Sequence, residues 1–218
     1  MAKTAVIVAN GEIPNVEKIK ARLRQLVDAF VIAVDGGVRN SRTLNLDVDV
    51  VLGDLDSLEP DALDLLKSDG VHIENFPSRK NETDLELGLY YAIDQGAQAI
   101  IVLGALGGRL DMTIANALLL THPRLAGVRV QFWHNDQTAW LIRPPGDVIM
   151  GQPGDTVSLI PMGGSAKGVT THNLAYALNG EELATGPARG VSNVIAQPSA
   201  RIEVHEGMLL VIHTPGRA

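Results

Sequence analysis

Acidic residues recur along the first half of this chain, each close to glycine, serine, threonine or a basic residue. The segments are Asp35-Gly36-Gly37, Gly53-Asp54-Leu55-Asp56-Ser57, Lys80-Asn81-Glu82-Thr83-Asp84 and Gly107-Gly108-Arg109-Leu110-Asp111. Carboxylate oxygens are the ligands that Mg²⁺ prefers, and glycine lets backbone N–H groups approach a phosphate. Lysine and arginine neutralise the phosphate charge that remains. The pattern therefore predicts a site for magnesium and a polyphosphate.

Each segment also has an ordinary structural explanation. Asp35 before two glycines is typical of a turn, and Asp111 suits the cap of a helix that runs to Leu120. Asp84 suits the first turn of a helix capped by Asn81. Lys80 and Arg109 are also expected to form solvated ion pairs with neighbouring acids. No single segment decides between these explanations and the functional one.

The positions of the segments favour the functional interpretation. Asp35 and Asp54 directly follow predicted strands, residues 104–111 follow another, and residues 80–84 lie between a strand and a helix. In open α/β sheets ligands bind outside the carboxyl ends of strands, so these segments are expected to converge. Converging carboxylates repel each other by about 4 kcal/mol at 4 Å in an effective dielectric of about 20. A bound cation would remove that repulsion.

Asp54 and Asp56 are the preferred metal ligands. Residues two apart at an extended strand end face the same way, so both carboxylates can reach one ion. Lys80 and Arg109 are the predicted phosphate contacts.

Short apolar runs rich in β-branched residues alternate with helical patterns up to residue 143. Val16–Val27 and Glu82–Gln95 have apolar residues at helical spacing. The alternation predicts an α/β domain, a doubly wound and mostly parallel sheet with helices on both faces, over residues 1–143. The predicted strands are residues 5–9, 30–34, 48–52, 71–76, 99–103 and 128–133.

The pattern changes after Arg143. Pro144-Pro145-Gly146 and Gly151-Gln152-Pro153-Gly154 interrupt the chain, and helical periodicity disappears. Short segments separated by Gly, Asn and Pro turns predict a small all-β sandwich over residues 144–218. The predicted strands are residues 156–160, 168–171, 174–178, 200–204 and 208–213.

Composition narrows the range of functions. The chain has 218 residues, 45% hydrophobic composition and a formal net charge of −7, which suits a sizeable core and argues against nucleic-acid or anionic-membrane binding. It has no cysteine, which suits a reducing compartment and weighs against zinc. No leader pattern stands at the beginning, and no apolar run approaches the roughly 20 residues that cross a bilayer. A cytoplasmic protein without a membrane span is expected.

The four segments, in this order and spacing, resemble the motif series of the thiamine pyrophosphokinases. Gly168-Val169-Thr170 and Gly190-Val191-Ser192-Asn193 resemble the carboxyl-terminal β-domain of that family, so the likeness covers nearly the whole chain. The resemblance implies transfer of an intact pyrophosphoryl group from ATP to the hydroxyl of thiamine, giving thiamine diphosphate and AMP. It also implies a homodimer, with thiamine between the α/β domain of one subunit and the β-domain of the partner.

The resemblance implies a role for each matching residue. The catalytic carboxylates are Asp35, Asp54, Asp56, Asp84 and Asp111, of which Asp54, Asp56 and Asp84 are the metal ligands. The residues expected to contact the nucleotide and its phosphates are Gly36, Gly37, Lys80, Thr83 and Arg109. Ser192 and Asn193 are expected on the thiamine side. Which carboxylate accepts the hydroxyl proton stays open.

The chain departs from the family pattern at two positions. Asn81 stands where many bacterial relatives have an acid, and Met112 stands where the motif often continues with histidine.

Two other functions stay open: a pyrophosphokinase for another primary alcohol such as a hydroxymethylpterin, and a noncatalytic nucleotide or thiamine diphosphate sensor. Gly190–Asn193 favours thiamine, and five converging carboxylates exceed what a pure binder needs.

Overall fold

The computed structural model describes residues 3–54, 66–77 and 80–216. The chain forms two compact units, the first ending at Asn135 and the second beginning at Asp136. This division comes before the strand Gln137–Ile142, whereas the sequence pattern predicts a boundary at residues 143–144. The strand belongs to the second unit because it pairs there with Glu206–Thr214.

The first unit is built on a parallel sheet. Its strands are β1 (Thr4–Val8), β2 (Phe30–Val34), β3 (Val50–Gly53), β4 (His72–Asn75), β5 (Ala99–Leu103) and β6 (Arg129–His134). Within the described residues their order is β4-β3-β2-β1-β5-β6, and every neighbouring pair is parallel. The central strands are almost entirely apolar because both of their faces are buried.

Helices cover both faces of this sheet, as predicted. They are α1 (Val16–Leu23), α2 (Gly37–Leu44), α3 (Asp84–Asp94) and α4 (Leu110–Leu119). Ile19 of α1 packs in a cluster with Val6 of β1. A Cβ on Gly88 of α3 would meet Val34 at 2.7 Å and Ile7 of β1 at 3.5 Å. Val6 and Ile7 are consecutive and so face opposite sides of the sheet, which places α1 and α3 on different faces.

Two helix starts differ from the predicted ones. Thr83, not Asn81, caps α3, and its Oγ1 accepts a hydrogen bond from Glu86 N at 3.2 Å. Asp84 is therefore the first residue of α3. Arg109 is the cap residue of α4, so Asp111 lies in the first turn and does not cap it.

The second unit is rich in β-strands. They are β7 (Gln137–Ile142), β8 (Gly146–Met150), β9 (Thr156–His172), β10 (Glu181–Leu183), β11 (Asn193–Val194), β12 (Ser199–Glu203) and β13 (Glu206–Thr214). The first part of β9 pairs with β13 and its end pairs with β12, so two sets of antiparallel strands share it. Side chains from both sets form one apolar core.

Three of the strands predicted for this unit differ in the structure. Residues 156–160 and 168–171 belong to the single strand β9, which spans 17 residues. Gly163 and Gly164 within it have φ of 71° and 139°, and its register with β13 shifts across them. Residues 174–178 form no strand, because Leu174 makes an isolated bridge to Ile195 and the chain then bends away. Among the described helices, none is long and apolar enough to cross a membrane.

Candidate active site

A cleft of about 620 Å³ opens at the carboxyl ends of β1, β2 and β5. The loops after these strands form its walls, together with the beginning of α3 and the cleft-facing side of α4. The strand order runs from β1 towards β4 on one side and from β5 to β6 on the other, so the cleft lies at the point where the order reverses. Open α/β sheets bind ligands at that point.

Four of the predicted site residues line this cleft. They come from three separate parts of the chain: Asp35 after β2, Thr83 and Asp84 at the start of α3, and Arg109 at the start of α4. The convergence predicted from strand ends therefore holds for these residues.

Asp35 directly follows β2, and its backbone lies in the left-handed region, with φ of 49°. Aspartate tolerates this conformation better than most residues. The backbone N–H of Asp35 donates to Leu52 O of β3 at 2.8 Å, which fixes the turn at the sheet edge. Asp35 itself is half-buried and lines the cleft.

The two glycines after Asp35 are buried and are explained by close packing. A Cβ on Gly37 would lie 1.9 Å from Val8 O of β1. A Cβ on Gly36 would lie 2.5 Å from the Asn10 side chain. Only glycine lets α2 begin this close to β1, a requirement separate from the predicted phosphate contact.

Lys80 and Asp84 form an ion pair beside the cleft. Lys80 Nζ lies 2.6 Å from Asp84 Oδ1, and the lysine side chain is only 14% exposed. The same Nζ lies 5.6 Å from the centre of the Phe76 ring. The ammonium group is thus held beside the N-terminus of α3, next to the cleft residue Asp84.

Arg109 and Asp111 form a second, solvent-exposed pair. Arg109 Nε and Nη2 donate to the two oxygens of Asp111 at 3.1 and 2.5 Å. The hydrogen bond from Arg109, followed by one from Met112 N, lowers the pKa of Asp111, and the same pairing raises the pKa of Arg109. Asp111 stays ionised, and it orients an arginine that lines the cleft.

The predicted metal pair is only partly described. Asp54 follows β3 at the same sheet edge as Asp35, because a Cβ on Gly53 would lie 3.3 Å from Asp35 Cα. In the described part of the chain the cleft lining includes Asp35 and Asp84 but not Asp54. Asp56 lies outside the described residues. Among those that are described, no three acidic, histidine or cysteine side chains are grouped as a metal site.

Sequence reasoning missed a third acid in the cleft and two polar side chains that hold one of its walls. Glu12 lines the cleft after β1, and the same rule of acids following strands would have found it. Asn116 Nδ2 of α4 donates to Ala105 O at 2.7 Å. Thr113 Oγ1 accepts from Gly107 N at 3.1 Å and donates to Arg109 O at 3.2 Å. These bonds fix the glycine-rich loop after β5.

The predicted thiamine-side residues lie in the second unit. Ser192 has φ of 60°, and its N–H donates to Ser158 Oγ at 3.1 Å. Asn193 is 5% exposed, and its amide binds the backbone of Tyr176, accepting from N at 3.0 Å and donating to O at 2.6 Å. Tyr176 itself is 64% exposed. Asn193 therefore holds the backbone of a residue whose aromatic side chain is exposed.

The fold and the cleft define a doubly wound α/β protein with a ligand site at the reversal of strand order. Its carboxylates and cations suit an anionic ligand accompanied by a metal ion. The family model described as "Thiamin pyrophosphokinase, catalytic domain" matches residues 24–132. The model described as "Thiamin pyrophosphokinase, vitamin B1 binding domain" matches residues 147–209. The chain belongs to the thiamin pyrophosphokinase family, a family of enzymes.

Proteins of this family are similar to the chain over most of its length. Thiamine pyrophosphokinase 1 of Oryza sativa subsp. japonica is 25% identical over 232 residues, covering 97% of this chain and 87% of that protein. Thiamine pyrophosphokinase of Bacillus subtilis (strain 168) is 22% identical over 184 residues, covering 82% and 86%. The fold is similar to the crystal structure of thiamine pyrophosphokinase from Bacillus subtilis, with a TM-score of 0.85 and 22% identity over 98% of this chain and 99% of that one. The crystal structure of yeast thiamin pyrophosphokinase is similar with a TM-score of 0.78 and 14% identity, covering 98% of this chain and 86% of that one.

Proposed function

We propose that this chain is a thiamine diphosphokinase, which transfers the pyrophosphoryl group of ATP to the hydroxyl of thiamine and releases AMP. The observation that carries the proposal is the match of two family models, one for catalysis and one for vitamin B1 binding, in the first and second parts of the chain. The cleft in the first unit supports it, because carboxylates and the Arg109 guanidinium, which suit a metal-bound triphosphate, meet there.

Lys80 and Arg109 are the proposed contacts for the phosphates of ATP. Arg109 lines the cleft and Lys80 pairs with the cleft residue Asp84. Both cations now face a carboxylate, and an arriving polyphosphate would replace that partner and keep each cation paired. Thr83 supports this wall by capping α3.

The cleft carboxylates fit Mg²⁺. Asp35 and Asp84 offer hard oxygen ligands on one cleft, and Asp54 and Asp56 follow the neighbouring strand β3 as further proposed ligands. When bound there, Mg²⁺ would add positive charge at the triphosphate oxygens.

The reaction we infer is a single displacement at the β-phosphorus. The thiamine hydroxyl oxygen forms a bond to that phosphorus, and the bond to the oxygen bridging the α- and β-phosphates breaks. AMP leaves with the electron pair, and a carboxylate of the cleft accepts the hydroxyl proton. The protein contributes alignment of the reacting atoms and neutralisation of charge by Lys80 and Arg109.

Thiamine is proposed to contact Ser192 and Tyr176 in the second unit. Its cationic thiazolium ring suits an exposed tyrosine face, and Asn193 holds the Tyr176 backbone through both of its amide atoms. Ser192 offers a hydroxyl one residue away from Asn193. Asn193 thus supports the thiamine site from behind Tyr176.

A homodimer, with thiamine between the α/β unit of one subunit and the β-rich unit of the partner, is also proposed. An exposed apolar stripe on α4 supports it: Leu110, Ile114 and Leu118 are spaced four residues apart and are 73%, 52% and 50% exposed. Such a stripe beside a cleft suits burial against a second protein surface. Replacing Ile114 with glutamate should then shift the dimer towards monomer in analytical ultracentrifugation.

The test of function is AMP release from Mg·ATP by the purified protein, with and without thiamine. The proposal expects AMP that depends on thiamine, together with an equal amount of thiamine diphosphate by chromatography. AMP that appears only with a hydroxymethylpterin would favour a pyrophosphokinase that acts on another primary alcohol. Binding of ATP or thiamine diphosphate without AMP release would favour the sensor.

A further inference from the structure

One side chain outside every predicted motif holds the loop that follows β1. Asn40 lies on α2, and its Nδ2 uses both hydrogens, donating to Ala9 O at 2.7 Å and to Gly11 O at 2.8 Å. Both acceptors belong to the loop that lines the cleft.

The same loop is held from the other side by β5. Ala9 N donates to Leu103 O at 2.8 Å, and Gly11 N donates to Gly104 O at 2.8 Å. Ala9 and Gly11 therefore have both backbone groups bonded, two to the end of β5 and two to Asn40. The three elements meet closely, because a Cβ on Gly104 would lie 2.4 Å from Ala9 O and 3.2 Å from Asn40 Nδ2.

Asn10, between the two held residues, lies in the cleft lining. Its side chain packs over Gly36, within 2.5 Å of where a Cβ would stand, and Gly36 is directly joined to Asp35. Asn40 thus sets the position of the cleft wall that includes Asn10 and Asp35, although it does not itself belong to the lining.

We propose that Asn40 is a positioning residue for the reaction in this cleft, an inference that rests on the function proposed above. The role needs two N–H donors on one short side chain. Aspartate has the same shape but no donor, and it would place an oxygen against two carbonyl oxygens. Glutamine keeps both donors one methylene farther out, so it should restore part of the effect.

Asn40→Asp and Asn40→Leu should lower kcat/KM for ATP by about ten- to a hundredfold, the cost of a misplacement near 1 Å. The dissociation constant for Mg·ATP measured by calorimetry without thiamine should rise in the same variants. The KM for thiamine at saturating ATP should change less than the affinity for Mg·ATP, because the proposed thiamine contacts Ser192 and Tyr176 lie in the second unit. Asn40→Gln should lie between these variants and the unaltered protein.

The matched control is Ile19→Val, a change in the fully buried core of the same unit and away from the cleft. It removes one methyl group from the cluster that packs on β1 and leaves both hydrogen bonds of the Asn40 side chain in place, so its kinetics measure what a loss of core packing alone does. If Asn40→Asp or Asn40→Leu does not fold, Asn40→Gln and Asn40→Ser carry the same comparison.

Asn40 variants that match Ile19→Val in kcat/KM for ATP and in Mg·ATP affinity would overturn the proposal. An equal loss towards both substrates, in proportion to the loss of folded protein, would overturn it too. Failure of the proposed function looks different, since the unaltered protein would then make no thiamine-dependent AMP. The Mg·ATP titration would still test Asn40 in that case.

Discussion

Replacing Asp155 with alanine should destabilise the second unit strongly. This carboxylate is 6% exposed and accepts three hydrogen bonds of 2.8 Å, from Gln152 N, Gly216 N and His213 Nε2. It ties the turn before β9 to the end of β13 and the residues after it. Alanine leaves all three donors without their acceptor.

The size of the loss follows from these contacts. A buried donor left without a partner costs about 1–3 kcal/mol, and three donors lose their acceptor here. His213 keeps 15% of its side chain exposed, so water can replace part of its lost bond. We expect the free energy of unfolding to fall by about 3–5 kcal/mol, a large part of the 5–15 kcal/mol of a typical domain.

The pH dependence has a defined sign. Burial of the Asp155 carboxylate favours its neutral form, but the N–H donors of Gln152 and Gly216 and the His213 ring outweigh this and lower its pKa below 3.8. The unfolded chain therefore binds the proton more readily in acid. Stability from this group is complete above about pH 4 and is lost as the pH falls through the lower folded pKa. Asp155→Asn should lack this part of the acid sensitivity.

The assay is urea unfolding at neutral pH, with hydrogen exchange by mass spectrometry to locate the loss in peptides of the second unit. Asp94→Ala is the control, since Asp94 pairs with Arg124 at 2.6 Å while 60% exposed and should cost at most about 1 kcal/mol. An Asp155→Ala protein as stable as this control would refute the reasoning.

Three other changes test the site. Thr83→Ala should lower the free energy of unfolding of the first unit by about 1 kcal/mol, since the α3 cap is lost; urea unfolding that matches the unaltered protein would contradict this. Asn193→Asp places a carboxylate against Tyr176 O, so one hydrogen bond is lost and replaced by repulsion. The KM for thiamine should rise by about tenfold, while the KM for ATP should stay unchanged. Equal changes in both constants would count against it. Asp35→Asn should lower kcat at least about a hundredfold at an unchanged melting temperature, and near-normal turnover would remove Asp35 from the site.

The first unit was predictable from local patterns. Parallel strands buried on both faces are short apolar runs, and each of β1 to β6 overlaps a predicted run. Residues 174–178 are a similar short apolar run but form no strand, because their backbone bonds go elsewhere. The Asn193 side chain binds the Tyr176 backbone, and Ala175 N donates to Val194 O at 2.9 Å. Such partners lie far along the chain and leave no local pattern.

The site divides in the same way. Asp35, Asp84 and Arg109 were predictable because the rule for strand ends brings their segments together. Asn40 and Asn116 were not, because an asparagine on a helix gives no sign that its amide binds a distant carbonyl. The glycines after Asp35 were predicted to contact the nucleotide. In the structure their buried positions are explained by the close approach of α2 to β1, which leaves no room for a side chain.

The most direct test of the central claim is one incubation of the protein with thiamine, Mg²⁺ and ATP radiolabelled at the β-phosphorus. Transfer of an intact pyrophosphoryl group predicts that the label appears in thiamine diphosphate and that unlabelled AMP is released in equal amount. Label that remains in ADP, with thiamine monophosphate as the product, would contradict the account.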